Sequence, residues 1–133
     1  MFGAELKAEQ KYALKVLFQG IHLDKGGDLL VAIHSTKDSF PSDWQNAYRS
    51  KKVRLDKSGM APVVFENMAI GEYSLIAIQD IDQDGRMTKN WIGYPLEPFG
   101  TSNNPKFFGP PKFSKALFEF KENMEIEVKL VDF

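Results

Sequence analysis

Apolar and polar residues alternate along most of the chain with a period of two, which is the pattern of a β-strand with one buried face. The last segment is the clearest case, because Ile126, Val128 and Leu130 share one face while Glu125 and Glu127 share the other. The same alternation marks the segments KYALKVLFQ, DLLVAIHS, KKVRLDK, MAPVVFENM, GEYSLIAIQD and KALFEFKE. About seven such strands predict an all-β fold, a single antiparallel β-sandwich.

Turn residues separate these strands and set the expected connections. DKGGD, residues 24–28, predicts a hairpin between the first two strands, because glycine tolerates positive φ. Between the second and third strands, Ser42 and Gln45 have the spacing of a capping box, which predicts one short helix near 43–49. We expect residues 11–133 to form the sandwich domain and residues 1–10 to be a flexible N-terminal segment.

One long segment, residues 80–112, has neither a strand period nor a helix period. Irregular connections longer than about 12–15 residues are uncommon in compact domains and are usually functional or disordered. Disorder does not suit this segment, because its aromatic side chains have apolar area to bury: Trp91, Tyr94, Phe99, Phe107 and Phe108. We therefore expect a long ordered loop that folds across one end or edge of the sandwich.

Composition excludes several classes of function. The 133 residues include 17 basic and 18 acidic side chains, and the net charge of -1 gives no reason to expect nucleic acid as a partner. The absence of cysteine excludes disulfides and thiolate metal sites. No apolar run approaches the roughly 18 residues of a membrane-spanning helix, so we do not expect a membrane-spanning protein. The N-terminal residues lack the apolar core of a signal peptide. The same is expected of a chain that starts where a signal peptide was removed.

The long loop opens with a pattern of calcium ligands. Asp80, Asp82 and Asp84 alternate and are followed by Gly85, which reproduces the D-x-D-x-D-G opening of an EF-hand loop. Gly85 permits the sharp turn, and the carbonyl of Arg86 is placed to donate the next oxygen. Hard oxygen ligands favour Ca²⁺ over zinc or copper. The pattern predicts a structural Ca²⁺ site.

The calcium pattern is incomplete at its twelfth position, where Trp91 replaces the bidentate glutamate of an EF-hand. Glu97, or the side-chain amides of Asn90, Asn103 or Asn104, could complete the site if the loop folds back. The other interpretation is an aspartate-rich turn that is satisfied by backbone amides and water. The predicted metal ligands are Asp80, Asp82, Asp84, Arg86 and Glu97.

The far part of the loop, GTSNNPKFFGPP at residues 100–111, combines polar and aromatic side chains. It suits a binding surface for a glycan or a peptide, and it equally suits loop scaffolding in which the polar side chains bond to backbone groups. A carbohydrate-binding module is the alternative in which Trp91 or Tyr94 stacks on a sugar. The candidate ligand-binding residues are Asn90, Trp91, Tyr94, Ser102, Asn103 and Asn104.

Candidate catalytic groups are few. The only histidines are His22 and His34, and neither is close in sequence to a plausible nucleophile; we expect His34 on the outer face of its strand. Asp82 and Glu97 could act as an acid–base pair, which is the enzymatic alternative. We expect a protein that is not an enzyme.

The motifs DIDQDGRMTKNWIGYPLE, FGTSNN and FFGPPKF together resemble a bacterial domain family of unknown function, DUF2141. The resemblance implies a prealbumin-like or immunoglobulin-like β-sandwich in a small exported protein, and hence a periplasmic or secreted location, but it implies no reaction. The chain departs from the family pattern at Gln79, where a histidine often stands, and at Thr88 or Lys89, where an acid often stands. The family positions that this chain matches are Asp80, Asp82, Asp84, Gly85, Asn90, Gly93, Pro95, Glu97, Gly100, Ser102, Asn103 and Asn104.

Together these observations predict an exported β-sandwich protein with a structural calcium-binding loop. We expect the loop to present a surface to an unknown protein or glycan partner. The sequence leaves the oligomeric state and the identity of the partner open.

Overall fold

A computed structural model describes residues 10–55, 62–84, 97–107 and 109–132. Within these ranges the chain forms eight strands, one short α-helix and two single-turn 3₁₀ segments. The strands are β1 (Lys11–Gln19), β2 (Asp28–His34), β3 (Arg49–Arg54), β4 (Val63–Ala69), β5 (Gly71–Asp80), β6 (Phe99–Thr101), β7 (Leu117–Phe120) and β8 (Met124–Lys129). The helix α1 is Phe113–Ala116, and the 3₁₀ segments are Leu23–Lys25 and Trp44–Asn46.

The strands form two sheets, which confirms the predicted all-β sandwich. The smaller sheet has the order β4-β1-β8, and the larger has the order β3-β2-β5-β6, with β7 also paired to β5. Every pairing of named strands is antiparallel except that of β1 with β8, in which Leu14 pairs with Met124 and Phe18 with Val128 in parallel. The alternation of residues reports which face of a strand is buried and not the direction of its neighbour, so the parallel pair had no signal in the pattern.

The main core lies between the two sheets, where alternation placed it. Leu14 and Phe65 come from the smaller sheet, and Val31, Leu75 and Phe120 come from the larger one; all are fully buried or nearly so. Buried apolar surface of this kind is the chief favourable contribution to folding.

The larger sheet is covered on its outer face as well. All seven residues of β2 are buried, so its pattern of alternate burial is lost. Ala32, Ile76 and Ile78 on this outer face form a second apolar cluster, against which Trp44 and Phe107 from the connecting segments pack. Loops therefore form a third layer that the period-two pattern could not reveal.

One local prediction was wrong, and another was confirmed in a shorter form. Residues 24–28 do not close a hairpin, because β1 and β2 belong to different sheets, although Gly26 and Gly27 do adopt positive φ of 64° and 83°. The helix predicted near 43–49 is a single 3₁₀ turn at Trp44–Asn46, in which the Asn46 N–H donates to the side chain of Asp43, the N-cap residue. The chain must be extended again by Arg49 to pair as β3, which leaves no room for a longer helix.

The segment 80–112 is less irregular than predicted, because the short strand β6 lies within it. The α1 helix that follows was also not predicted. Residues 1–9 lie outside the described residues, so the flexible N-terminal segment stays a prediction. In the described part of the chain, no helix has the length and apolar character needed to cross a bilayer.

Candidate metal centre

The base of the β5–β6 hairpin brings the two ends of the aspartate-rich loop together. The strands pair antiparallel, with Ile78 opposite Phe99. The same register, continued by two residues, places Asp80 opposite Glu97. The chain therefore folds back as the calcium hypothesis required.

Four carboxylates meet at this base. One carboxylate oxygen from each of Asp80, Asp82, Asp84 and Glu97 can be chosen so that all four lie within 4.8 Å of one another. Asp80 is fully buried and Glu97 is nearly so, whereas Asp82 and Asp84 are exposed. The cluster thus has a buried wall contributed by the strand ends and an open side contributed by the turn.

Backbone hydrogen bonds fix the turn that carries the two exposed aspartates. The Gln83 N–H donates to the Asp80 carbonyl at 3.3 Å, and Gln83 adopts a positive φ of 58°. The Asp84 N–H donates to Asp82 Oδ1 at 3.2 Å, which forms an Asx turn. Across the hairpin, the Ile81 N–H donates to Glu97 Oε2 at 2.8 Å and ties that carboxylate to the turn.

A model of the family described as "Uncharacterized protein conserved in bacteria (DUF2141)" matches residues 16–127. The chain belongs to this family. No curated protein and no solved structure matches the chain. The match begins within β1 and ends within β8, so it includes the whole carboxylate cluster of this DUF2141 domain.

Gln79 joins a neighbouring loop to β5 beside the acidic cluster. Its buried amide donates to the carbonyls of His22 at 2.7 Å and Gly26 at 2.9 Å and accepts the His22 N–H at 2.8 Å. Gly27 follows, where an added Cβ would lie 2.3 Å from the Asp80 carbonyl oxygen. Only glycine permits this close approach of the two backbones. Gly27 also has a positive φ, which glycine adopts without strain.

A further carboxylate, Asp28, is buried and pairs with Asp80 across β2 and β5. Arg54 Nε lies 2.7 Å from Asp28 Oδ1, and Lys52 Nζ lies 3.7 Å from Asp28 Oδ2. The cations of β3 therefore compensate this carboxylate beside the acidic cluster. The sequence analysis missed Asp28, because an aspartate beside a glycine-rich turn is common and does not by itself indicate a site. Its neighbour Asp80 is recognised only from the pairing of β2 with β5.

Of the predicted site residues, Arg86, Asn90, Trp91 and Tyr94 lie outside the described residues, so their roles stay predictions. The structure does describe the three polar residues after β6. Each bonds a backbone group: Ser102 Oγ donates to the Ala116 carbonyl, Asn103 Nδ2 to the Leu117 carbonyl, and Asn104 Nδ2 to the Glu127 carbonyl. These contacts fit the scaffolding interpretation of the segment, and ligand binding by these three residues stays a prediction.

His34 has a serine beside it that the sequence did not suggest. Its Nδ1 lies 2.7 Å from Ser39 Oγ, because the chain after β2 turns back over the outer face of the sheet. Both residues are buried, and among the described residues His34 Nε2 has no hydrogen-bond partner. Burial lowers the pKa of His34 from its ordinary value of 6.5, against opposing effects of the Asp43 charge and the Pro41 carbonyl. A neutral, inaccessible imidazole suits a packing role.

Proposed function

We propose that this family member is an exported, non-catalytic binding protein in which Ca²⁺ holds the base of the β5–β6 hairpin together. The observation that carries the proposal is the convergence of Asp80, Asp82, Asp84 and Glu97 within 4.8 Å. Like charges placed directly opposite each other in a sheet destabilise it, and a bound cation converts that repulsion into attraction.

The spacing and chemistry of the cluster support calcium. Ca²⁺ takes oxygen ligands at about 2.3–2.6 Å, so ligands on opposite sides of the ion are about 4.6–5.2 Å apart. The 4.8 Å span of the four oxygens suits this sphere. Carboxylates on exposed turn residues beside buried ones also suit the irregular geometry that calcium accepts and magnesium resists.

A structural role for the ion follows from where the ligands sit. Asp80 ends a central strand and Glu97 lies two residues before β6, so one ion would join two neighbouring strands. The cluster contains carboxylates and no histidine, and the buried Glu97 is held by the Ile81 N–H. With all four carboxylates serving as ligands, the cluster offers no further base for activating a water, which favours a structural metal.

Export is inferred from the family resemblance, and a partner is inferred from the polar and aromatic residues of the long loop. A periplasmic or extracellular location also suits a calcium site, because extracellular modules bind calcium at about 10⁻⁴–10⁻³ M. A glycan as partner would need Trp91 or Tyr94 on the surface, and these aromatics are the first to replace in a screen for sugar binding.

Thermal unfolding with Ca²⁺ and with a chelator tests the metal. At a calcium concentration of about 100 times Kd, binding to the native state adds about 2.7 kcal/mol, which corresponds to an increase in Tm of roughly 10 °C. Asp82→Ala should abolish this increase. Glu122→Ala removes an exposed acid in the turn before β8 and serves as the matched control, which should retain the full increase. Equal melting temperatures with calcium and with chelator in the unaltered protein would reject the proposal.

A further inference from the structure

A pocket of about 370 Å³ lies between the segment after β6 and the α1 helix. Its walls include the apolar side chains of Phe107 and Pro110 and three lysines, Lys106, Lys112 and Lys115. The volume falls in the range of about 300–1,000 Å³ that is usual for small-molecule sites. None of the described residues that line it belongs to the carboxylate cluster.

The walls of the pocket are fastened to the larger sheet on both sides. The Phe107 ring packs on the fully buried ring of Phe99 in β6, with centroids 4.6 Å apart. On the other side, Ser74 Oγ of β5 donates to the Phe113 carbonyl at 2.7 Å, and Asn103 Nδ2 donates to the Lys115 carbonyl at 3.2 Å. A pocket held in this way loses little conformational entropy when a ligand enters.

The electrostatic character of the pocket differs from that of the whole protein. The net charge is -1, yet residues 98–118 contain three lysines and no acidic residue. All three of these lysines line the pocket, and they are exposed. No acidic side chain is among the described residues that line it. An apolar floor with a cationic rim is complementary to a ligand with an apolar body and a negative head.

We propose that this pocket binds a small carboxylate with an apolar body, such as a medium-chain fatty acid anion. The apolar part lies against Phe107 and Pro110, and the carboxylate takes its contacts from Lys112 and Lys115. Lysine stems also cover apolar surface while their ammonium groups stay in water, so the same residues serve both parts of the ligand. The inference specifies the ligand class for the binding role proposed above, on which it rests, but it does not depend on the metal.

Octanoate is a suitable probe, with octan-1-ol and octylamine as neutral and cationic controls of the same chain length. Amide shifts in two-dimensional NMR of the full chain should change on addition of octanoate at Lys106, Phe107, Lys112 and Lys115, and the changes should saturate. Octylamine should leave these amides unchanged, and octan-1-ol should bind more weakly than octanoate. Raising the salt concentration should weaken octanoate binding, because exposed charges are screened.

Lys112→Met with Lys115→Met keeps the length and apolar area of the side chains and removes two charges. Octanoate affinity should fall about tenfold, and octan-1-ol affinity should not. Lys25→Met with Lys121→Met, outside the pocket, is the matched control and should bind octanoate normally. Amide shifts that are scattered over the surface, equal affinity for all three probes, or no octanoate binding would overturn the inference. Repeating the titration in chelator separates it from the calcium proposal, because a lost thermal shift with retained octanoate binding contradicts only the metal.

Discussion

Asp80 and Glu97 face each other across the base of the β5–β6 hairpin, where two antiparallel strands normally place a favourable pair. Both carboxylates are buried, and the Ile81 N–H bonds Glu97 in place. The Gln79 N–H donates to the Pro98 carbonyl at 2.9 Å, so the strands stay paired right up to this position. The hairpin therefore holds the two acids together by main-chain bonds, and a cation is the natural complement.

Glu97→Gln separates metal affinity from intrinsic stability. The amide keeps the shape of the side chain and an oxygen that can accept the Ile81 N–H, but it removes one negative charge from the cluster. We expect calcium affinity to fall by about 10–100-fold and the stability of the calcium-free protein to hold or rise, because repulsion is relieved. Calorimetric titration and urea unfolding in chelator measure the two quantities. A loss of stability in chelator by more than about 1 kcal/mol, with affinity unchanged, would contradict the assignment of Glu97 as a ligand.

Arg54→Gln tests whether the β3 cations support the acidic region. The Asp28 side chain is buried, and Arg54 Nε lies 2.7 Å from it, whereas Lys52 Nζ lies at 3.7 Å. Loss of the closer partner leaves a buried carboxylate poorly compensated beside Asp80. We expect a loss of about 1–3 kcal/mol in the free energy of unfolding. Lys52→Gln is the control and should cost less, about 0–1 kcal/mol. Urea unfolding measures both losses. Equal losses for the two variants would show that the shorter distance from Arg54 to Asp28 does not make Arg54 the more important partner.

The sequence predicted the sandwich because its strands are long enough to show alternation. It failed for β6, since three residues cannot establish a period and Phe99, Gly100 and Thr101 are all buried. Gly100 faces the backbone of β8, and a Cβ there would lie 2.5 Å from the Lys129 carbonyl oxygen. Such a close approach between the two sheets depends on tertiary structure, and no local sequence pattern predicts it.

The candidate metal centre was predicted only in part, because some of its residues depend on tertiary structure. The D-x-D-x-D-G spacing marks Asp80, Asp82 and Asp84 locally, and Glu97 was a candidate only as an acid later in the loop. Its place depends on the β5–β6 register, which in turn depends on recognising β6. Asp28 and Gln79 act through pairing with distant segments, and so only the fold reveals them.

Asn104 clips the loop after β6 to the smaller sheet. Its Nδ2 donates to the Glu127 carbonyl, and its Oδ1 accepts the Lys129 N–H, both at 2.8 Å. Asn104→Gly keeps the positive φ of 45° accessible while removing both bonds. We expect a loss of about 1–3 kcal/mol in the free energy of unfolding. Asn123→Ala, which removes a single bond from the Ala13 N–H, is the comparison and should cost less in the same urea measurement. A larger loss in the free energy of unfolding for Asn123→Ala would contradict the stabilising role of the two Asn104 hydrogen bonds.

His34 should make stability depend on pH in a defined window. Burial lowers the pKa of His34 in the folded protein from 6.5, the value expected when the chain is unfolded. Below pH 6.5 the unfolded chain therefore binds a proton that the folded protein does not. The free energy of unfolding should fall as the pH drops from 6.5 toward the folded pKa, by at most about 1.4 kcal/mol per pH unit.

His34→Gln should flatten this part of the profile, when urea midpoints are compared between pH 8 and pH 5 in the presence of chelator. Ser39→Ala removes the hydrogen bond at 2.7 Å but keeps the buried imidazole, so it should lower stability while retaining the slope. The comparison isolates titration of His34 from loss of packing, because both variants disturb the same cluster beside Phe40 and Trp44. If His34→Gln and the unaltered protein show parallel profiles, His34 is not the group that titrates.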